Sequence, residues 1–333
     1  MTVDSPAAKA TSVPRRLGSY LAAAGVVAYA LLAFARPGEW GGLPAAVLAA
    51  AVLYPLSIYV YYGLARMTYL NQMPLLTVTA VIAIALSALM ANSSSAWQVI
   101  FNWALVLGGG FMAGWQLRRG YTFGRVFRNT AIYLVIVGAI LWYPIWSQTV
   151  GQAALTVEAM APDIEAAMRT LGVQENAVGA QVDDLKRFLV LMIELSPATM
   201  IINILVQFGI GFAFFAWWAS RHHAHLRLSP FRMWKAPFGL TPVLVVAVAL
   251  RFLGGDILRI VADNTLLVLS VVYCLTGLAV CEYYLRKFGF GTAMRVLFYI
   301  ALFLSQFVGY IVVALIGFAD SFRDWRKVQL AHL

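Results

Sequence analysis

Polar side chains inside apolar stretches are the residues of this sequence best suited to bind a ligand. Glu194 precedes Pro197, which loosens the backbone at the start of an apolar stretch. Asn203 and Gln207 follow, and a separation of four residues puts them on one helix face. Asn102 lies in an earlier apolar stretch. Because polar groups are costly in lipid, we expect these four side chains either to line an outward-facing polar pocket or to hydrogen-bond between helices.

Three of the four histidines lie close together, in Arg221-His-His-Ala-His-Leu-Arg227. His222 and His225 are three residues apart and could share a helix face, as ligands of zinc or copper do. Basic residues flank them on both sides and no carboxylate is near, which favours an interfacial surface over a metal site. We therefore expect no cofactor and keep a metal at His222 and His225 as the weaker alternative.

Signatures of common enzyme sites are absent from the sequence. It contains no nucleotide-binding glycine loop, no His-Glu-x-x-His and no nucleophile elbow. This predicts a protein that is not an enzyme. Because no ATP-binding site is visible, active transport by this chain would need partners or an ion gradient.

The elements that must position these residues are apolar stretches of membrane-spanning length. Hydrophobic residues make up 62% of the 333 residues and charged residues 11%, whereas soluble domains are about a quarter charged. Stretches such as Pro74–Ala91 and Val296–Ala319 contain no charged residue. Eighteen or more such residues can cross the roughly 30 Å hydrocarbon core as a helix. The sequence thus predicts a multi-pass membrane protein.

Nine candidate spans follow from this pattern, so the predicted fold class is an all-α, polytopic transmembrane helical bundle. The span at 238–254 is short and carries Arg251 near its end, which leaves eight crossings as the alternative. The nine candidates are residues 17–34, 43–65, 74–91, 97–116, 130–148, 188–218, 238–254, 264–285 and 296–319.

Lysines and arginines predict the orientation of these spans. The two strongest basic clusters, Leu117–Asn129 and Arg221–Lys235, fall on the inner side when the N-terminus is cytoplasmic. Residues 1–16 then form a cytoplasmic leader. Nine spans place the polar tail, residues 320–333, outside, although it carries Arg323, Arg326 and Lys327. The net charge of +10 indicates contact with anionic membrane lipids and not with nucleic acid.

The segment Val150–Arg187 differs from the rest of what we expect to be a single transmembrane domain, residues 1–333. It carries six acidic residues, and its apolar residues recur at helical spacing on both sides of Gly172. We expect an extracytoplasmic insertion, residues 150–187, of two short amphipathic helices between spans five and six. It would form either a solvated cap or a lid.

Small residues predict close helix packing in two spans. Ala24-x-x-x-Ala28 and Gly110-x-x-x-Gly114 both match the small-x-x-x-small pattern. These faces would pack within the bundle or against a partner subunit.

The last third of the chain resembles a known family. Phe231-Arg-Met-Trp-Lys-Ala-Pro237, Gly277-Leu-Ala, Tyr284-Leu-Arg-Lys-Phe-Gly289 and Gly317-Phe-Ala-Asp-Ser-Phe-Arg-Asp-Trp-Arg-Lys327 occur in this order. This order resembles the YybS-like family of predicted bacterial membrane proteins, whose function is unknown. That family is in turn similar to the substrate-capturing components of energy-coupling-factor transporters.

The resemblance implies a helical bundle in the bacterial inner membrane that binds a ligand near its outer face. Its partners would be ATPase and transmembrane-coupler subunits, and Ala24 and Ala28 would face the coupler. This chain departs from those components by having more spans and an acidic insertion. We therefore weigh three hypotheses: a substrate-binding transporter component, a scaffold or assembly subunit of a larger complex and, least favoured, an intramembrane lipid-modifying enzyme.

Overall fold

The described part of the protein is all helical. The computed structural model describes residues 12–33, 43–90, 96–170, 175–222, 230–323 and 325–326, and no strand occurs within these ranges. A 3-10 helix covers Phe231–Met233. The α-helices are α1 (Ser12–Ala33), α2 (Leu43–Tyr69), α3 (Met73–Met90), α4 (Ala96–Arg118), α5 (Phe123–Thr170), α6 (Glu175–Glu194), α7 (Ser196–His222), α8 (Leu240–Leu253), α9 (Asp256–Lys287), α10 (Thr292–Leu304) and α11 (Gln306–Phe322).

Three helical segments of the described residues are long and apolar enough to cross a membrane. They are Phe123–Pro144 within α5, Ser196–His222 and Asp256–Lys287. A fourth is added if α10 and α11 form one bent span. The eight or nine crossings predicted from the sequence are thus not confirmed, although each predicted span overlaps at least one observed helix. The weakest prediction, residues 238–254, corresponds to α8, whose 14 residues rise only about 21 Å.

Two of the predicted spans are interrupted. The stretch predicted at 188–218 is broken at Leu195, between α6 and α7, where Pro197 cannot donate a backbone hydrogen bond. The stretch predicted at 296–319 is broken at Ser305, where α10 and α11 are bent by 114°. Gln306 has φ of +47°, a left-handed conformation that is rare for a residue other than glycine.

The segment predicted as an outer insertion is helical in its described residues. Residues 150–170 continue α5 instead of forming a separate helix, and residues 175–187 begin α6. Gly172 lies outside the described residues. Val157 and Val182 are buried, and Lys186 on α6 lies 3.3 Å from Glu158 on α5.

The chain divides into two compact units. Unit 1 comprises residues 1–142 and 203–228, and unit 2 comprises residues 143–202 and 229–333. In unit 1, α2 packs against α1 and α4. Its core is rich in aromatic rings, such as Tyr61, whose ring packs edge-on at 5.7 Å against Phe208.

In unit 2, α9 is the central helix and packs against α8 and α11. Close approach to α11 depends on glycine, since a Cβ atom at Gly277 would collide with the carbonyl oxygen of Val313. A Cβ atom at Gly317 would likewise collide with the carbonyl oxygen of Tyr273. Ser270 and Tyr310 hydrogen-bond across the same interface at 2.6 Å.

The start of α10 and the end of α11 lie at the same end of unit 2. α10 begins beside the C-terminal end of α9, where Arg295 contacts Glu282. After the bend, α11 runs back along α9, and Arg326 beyond its end hydrogen-bonds the carbonyl oxygen of Arg232. Arg232 itself lines a groove together with Glu282 and Arg295. Both ends of the pair therefore lie at one end of unit 2.

Candidate functional site

Glu282, in the last two turns of α9, is the centre of a cluster of polar side chains. Its Oε1 accepts hydrogen bonds from Arg286 Nε at 2.5 Å and from Arg295 Nη1 at 2.9 Å. Its Oε2 accepts one from the Tyr299 hydroxyl at 3.0 Å. Arg286 lies one turn after Glu282 on α9, whereas Arg295 and Tyr299 share a face of α10 because they are four residues apart. The carboxylate thus joins the two helices.

A groove of about 490 Å³ lies beside this cluster. Its polar lining comes from Arg232, Glu282, Arg286, Arg295 and Tyr299, together with Thr292. Its apolar lining comes from Pro230, Phe231, Leu278 and Val296. With three guanidinium groups and one carboxylate, the groove carries an excess of positive charge and is suited to an anion.

Two arginines of the groove each have a hydrogen-bond donor that is not used by the described residues. The Nε atoms of Arg232 and Arg295 are buried and have no hydrogen-bond acceptor among the described residues. A buried donor without a partner costs free energy, on the order of 1–3 kcal/mol. Because neither Nε is accessible to solvent, a ligand acceptor would reach it only after the arginine side chain changes its rotamer.

A buried ion pair holds one wall of the groove. Arg326 Nη2 lies 2.7 Å from Asp320 Oδ2, and both side chains are completely shielded from solvent. The same guanidinium donates hydrogen bonds to the carbonyl oxygens of Arg232, at 2.7 Å, and Trp234, at 3.0 Å. The segment after α11 thereby fixes the backbone that carries the Arg232 side chain.

The break between α6 and α7 is bridged by the side chain of Asn264 on α9. Asn264 Oδ1 accepts a hydrogen bond from the backbone N–H of Ala198, and its Nδ2 donates one to the carbonyl oxygen of Glu194, both at 2.8 Å. In an uninterrupted helix these two backbone groups would bond to each other. The amide therefore satisfies both broken ends, and Glu194 takes part through its backbone while its side chain is partly exposed.

The other residues predicted to line a pocket lie in unit 1. Gln207 Nε2 donates a hydrogen bond to Asn203 Oδ1 at 3.3 Å, which fits their placement on one face of a helix. Asn203 is exposed, and Gln207 and Asn102 are half-buried. The pocket formed by these residues with Glu194 stays a prediction.

Of the residues predicted to contact partners, those on α4 are packed against another helix of the chain, whereas those on α1 are exposed or half-buried. Gly110 and Gly114 on α4 pack against α2, where a Cβ atom at Gly110 would lie 2.5 Å from that of Leu64. Packing within the chain is thus sufficient to explain both glycines. On α1, Ala24 is exposed and Ala28 is half-buried, so this face remains available to a partner.

His222 is engaged in the last turn of α7. Its ring stacks on Trp218 with centroids 5.1 Å apart, and its Nδ1 lies 2.8 Å from the Trp218 carbonyl oxygen. His223 and His225 lie outside the described residues. Within the described ranges, no three His, Cys, Asp or Glu side chains are grouped as a metal site requires.

The Glu282 groove was not predicted from the sequence. Glu282 stands four residues before Arg286, a spacing that indicates a surface ion pair on a helix. The sequence pattern that could have indicated the groove is the pair of arginines, Arg286 and Arg295, on either side of the turn after Lys287. Basic residues near the end of a span are equally well explained by the orientation of a chain in the membrane.

The long apolar helices define an integral membrane protein of the multi-helix class, which contacts lipids along its spans. This chain belongs to the family described as "Predicted membrane protein (DUF2232)", which matches residues 41–321. Searches of curated proteins and of solved structures found no match. The match does not extend to the more specific resemblances, to the YybS-like family and to energy-coupling-factor components, which stay predictions.

Proposed function

We propose that this protein is a non-catalytic, ligand-binding component of a transport system in the bacterial inner membrane, with its N-terminus in the cytoplasm. The observation that carries the proposal is the groove beside Glu282, of about 490 Å³. Ligand sites typically have volumes of roughly 300–1,000 Å³ and combine apolar walls with a few placed polar groups. The groove has both properties.

The pairing of the groove's charges supports binding rather than catalysis. A general base or a nucleophile needs a lone pair directed at the substrate. Three of the roughly four lone-pair positions of the Glu282 carboxylate instead accept hydrogen bonds from Arg286, Arg295 and Tyr299. We therefore infer that the protein holds a ligand while ATPase and transmembrane-coupler partners drive its movement.

The experiment that tests this proposal is native mass spectrometry of the full chain released from gentle detergent. Wild-type protein should retain a small molecule in a fixed ratio, and Arg232→Gln should lose it. Arg259→Gln is the matched control, because Arg259 is exposed near the opposite end of α9. Equal occupancy in all three proteins would contradict the groove as the site of the ligand, and no ligand in any of them would contradict the proposal.

The pocket predicted around Glu194 is the competing location for the ligand. If the ligand binds there, Glu194→Ala should abolish binding and leave the fold intact, whereas Arg232→Gln should have no effect. The reverse pattern would assign the ligand to the groove. Because Glu194 takes part in the Asn264 bridge only through its backbone, its side chain can be removed without breaking that bridge.

A scaffold or assembly subunit is the second candidate function. Its support is the apolar bend between α10 and α11, where Phe303 is 81% exposed and Phe307 is 73% exposed. A photoreactive amino acid at Phe307 should crosslink a stoichiometric partner protein if the bend is an interface. Crosslinks to lipid alone would remove this support. An intramembrane lipid-modifying enzyme is the least supported, because His222 is already engaged with Trp218.

A further inference from the structure

The groove beside Glu282 has the chemistry of a site for an anion that carries a hydrocarbon chain. Arg232, Arg286 and Arg295 supply positive charge on one part of its surface. Phe231 and Val296 are about half exposed and supply apolar surface next to the charge. A small hydrophilic anion would use the arginines and leave the apolar surface in contact with water or lipid.

The position of the groove on α9 fits the headgroup level of a membrane. α9 is one of the helices long and apolar enough to cross, and Glu282, Arg286 and Lys287 lie at its C-terminal end. Cationic side chains are stable at this end of a helix because the backbone dipole is negative there. The exposed rings of Phe288 and Phe290 follow directly. A molecule whose chain lies in the membrane could therefore place its headgroup in the groove.

The hydrogen bonds of the groove specify the anionic group further. Glu282 already fills one position on each of Arg286 and Arg295. The Nε atoms of Arg232 and Arg295 are buried without an acceptor among the described residues, so two donors remain to be satisfied. Phosphate presents several oxygen atoms and pairs with arginine in a bidentate geometry. A neutral headgroup would leave the excess positive charge uncompensated.

We propose that this groove binds the phosphate group of an anionic membrane amphiphile, which enters from the lipid with its hydrocarbon chain along Phe231 and Val296. The inference rests on the proposed function and names the chemical class of its ligand. Glu282 then acts as the resident counterion, which keeps Arg286 and Arg295 oriented when the ligand is absent. Arg232 is the arginine most free to meet the phosphate, since its guanidinium is outside the Glu282 network while its backbone is held by Arg326.

The experiment uses full-length protein, delipidated in detergent, and three probes: a short-chain phosphatidylglycerol, the diacylglycerol with the same chains, and inorganic phosphate. Phosphatidylglycerol should bind at least roughly tenfold more tightly than the other two, since diacylglycerol lacks the charge-assisted hydrogen bonds and inorganic phosphate lacks the apolar contacts. Equal binding of diacylglycerol would overturn the role of the phosphate. Equal binding of inorganic phosphate would overturn the amphiphile as its source.

Two variants test the site itself. Arg232→Gln should weaken phosphatidylglycerol binding about tenfold without changing the thermal unfolding of the protein, because its side chain is outside the Glu282 network. Arg259→Gln should bind like wild type. Unchanged binding in Arg232→Gln would overturn the inference. If mass spectrometry instead finds a ligand without phosphate that Arg232→Gln loses, the inference fails while the proposed function stands; if no ligand is found, both fail.

Discussion

Polar side chains join separate segments of the chain at three places in unit 2. The Asp320–Arg326 pair ties the end of α11 to the segment before α8, Asn264 bridges the break between α6 and α7, and Glu282 joins α9 to α10. In each case at least one hydrogen bond joins segments that are more than ten residues apart in the sequence. Each arrangement satisfies groups that would otherwise be buried without a partner, which is costly away from water.

Arg326→Met should destabilise the protein by about 3–5 kcal/mol, since it leaves the Asp320 carboxylate buried without its cation. It also removes the hydrogen bonds to the carbonyl oxygens of Arg232 and Trp234. Denaturant unfolding in detergent measures the change. Arg323→Met is the matched control, because Arg323 is exposed at the end of α11, and it should change stability by less than about 0.5 kcal/mol. Equal effects of the two variants would contradict the role assigned to the ion pair.

Asn264→Leu should destabilise the protein by about 1–3 kcal/mol, because the N–H of Ala198 and the carbonyl of Glu194 both lose their partner. Thr265→Val on the next position of α9 removes only a bond within the helix, from Thr265 to the carbonyl oxygen of Val261. The two variants are compared by thermal unfolding in the same detergent. A loss no larger for Asn264→Leu than for Thr265→Val would show that the bridge contributes little.

At the scale of elements, glycines set how closely the helices of unit 2 pack. α9 and α11 meet at Gly277 and Gly317, where any side chain would collide with backbone of the facing helix. The collision is with carbonyl oxygens, which cannot move without shifting the helix. Small residues at such positions let two backbones approach and are characteristic of helix pairs in membranes.

Gly277→Ala should therefore separate α9 from α11 and cost about 1–3 kcal/mol or more. Gly255→Ala is the matched control, because a Cβ atom there meets nothing within 4 Å and its φ is negative. Unfolding of the two variants is compared in the same detergent. Equal stability of the two variants would mean that α11 is not held against α9 in this way.

At the scale of the whole molecule, the bend at Ser305 bears on the orientation of the chain in the membrane. α10 has 13 residues and rises about 20 Å, which is less than the roughly 30 Å of the hydrocarbon core. Because α10 and α11 start and finish at one end of unit 2, we infer a re-entrant hairpin in place of the crossing predicted at residues 296–319. Arg286, Lys287, Arg295, Arg323 and Arg326 then all lie on one side, as the distribution of basic residues requires.

This arrangement predicts that the C-terminus is cytoplasmic. Single cysteines at Phe288 and Arg323, in a background without Cys274 and Cys281, should both be protected from a membrane-impermeant thiol reagent in intact cells. A cysteine at Gly255, at the opposite end of α9, should react with it. Labelling of Arg323→Cys together with Gly255→Cys would contradict the hairpin and restore a crossing by the last stretch.

The sequence by itself determined the class of protein and the approximate positions of most helices. Lipid offers no partners for backbone hydrogen bonds, so uncharged stretches such as Pro74–Ala91 must be helical whatever surrounds them. The break at Pro197 also had a local signal. Asn203 and Gln207 were correctly placed on one helix face, because helical periodicity is a property of a short segment.

Only the tertiary structure decided which polar residues meet. Asn264 lies 70 residues after Glu194, and Arg326 lies 94 residues after Arg232, so no local pattern connects them. The hydropathy of Val296–Ala319 predicts one continuous span, because all of its residues are compatible with lipid whether the backbone is straight or bent. The groove beside Glu282 combines α9, α10 and the segment before α8, which meet only when the chain has folded.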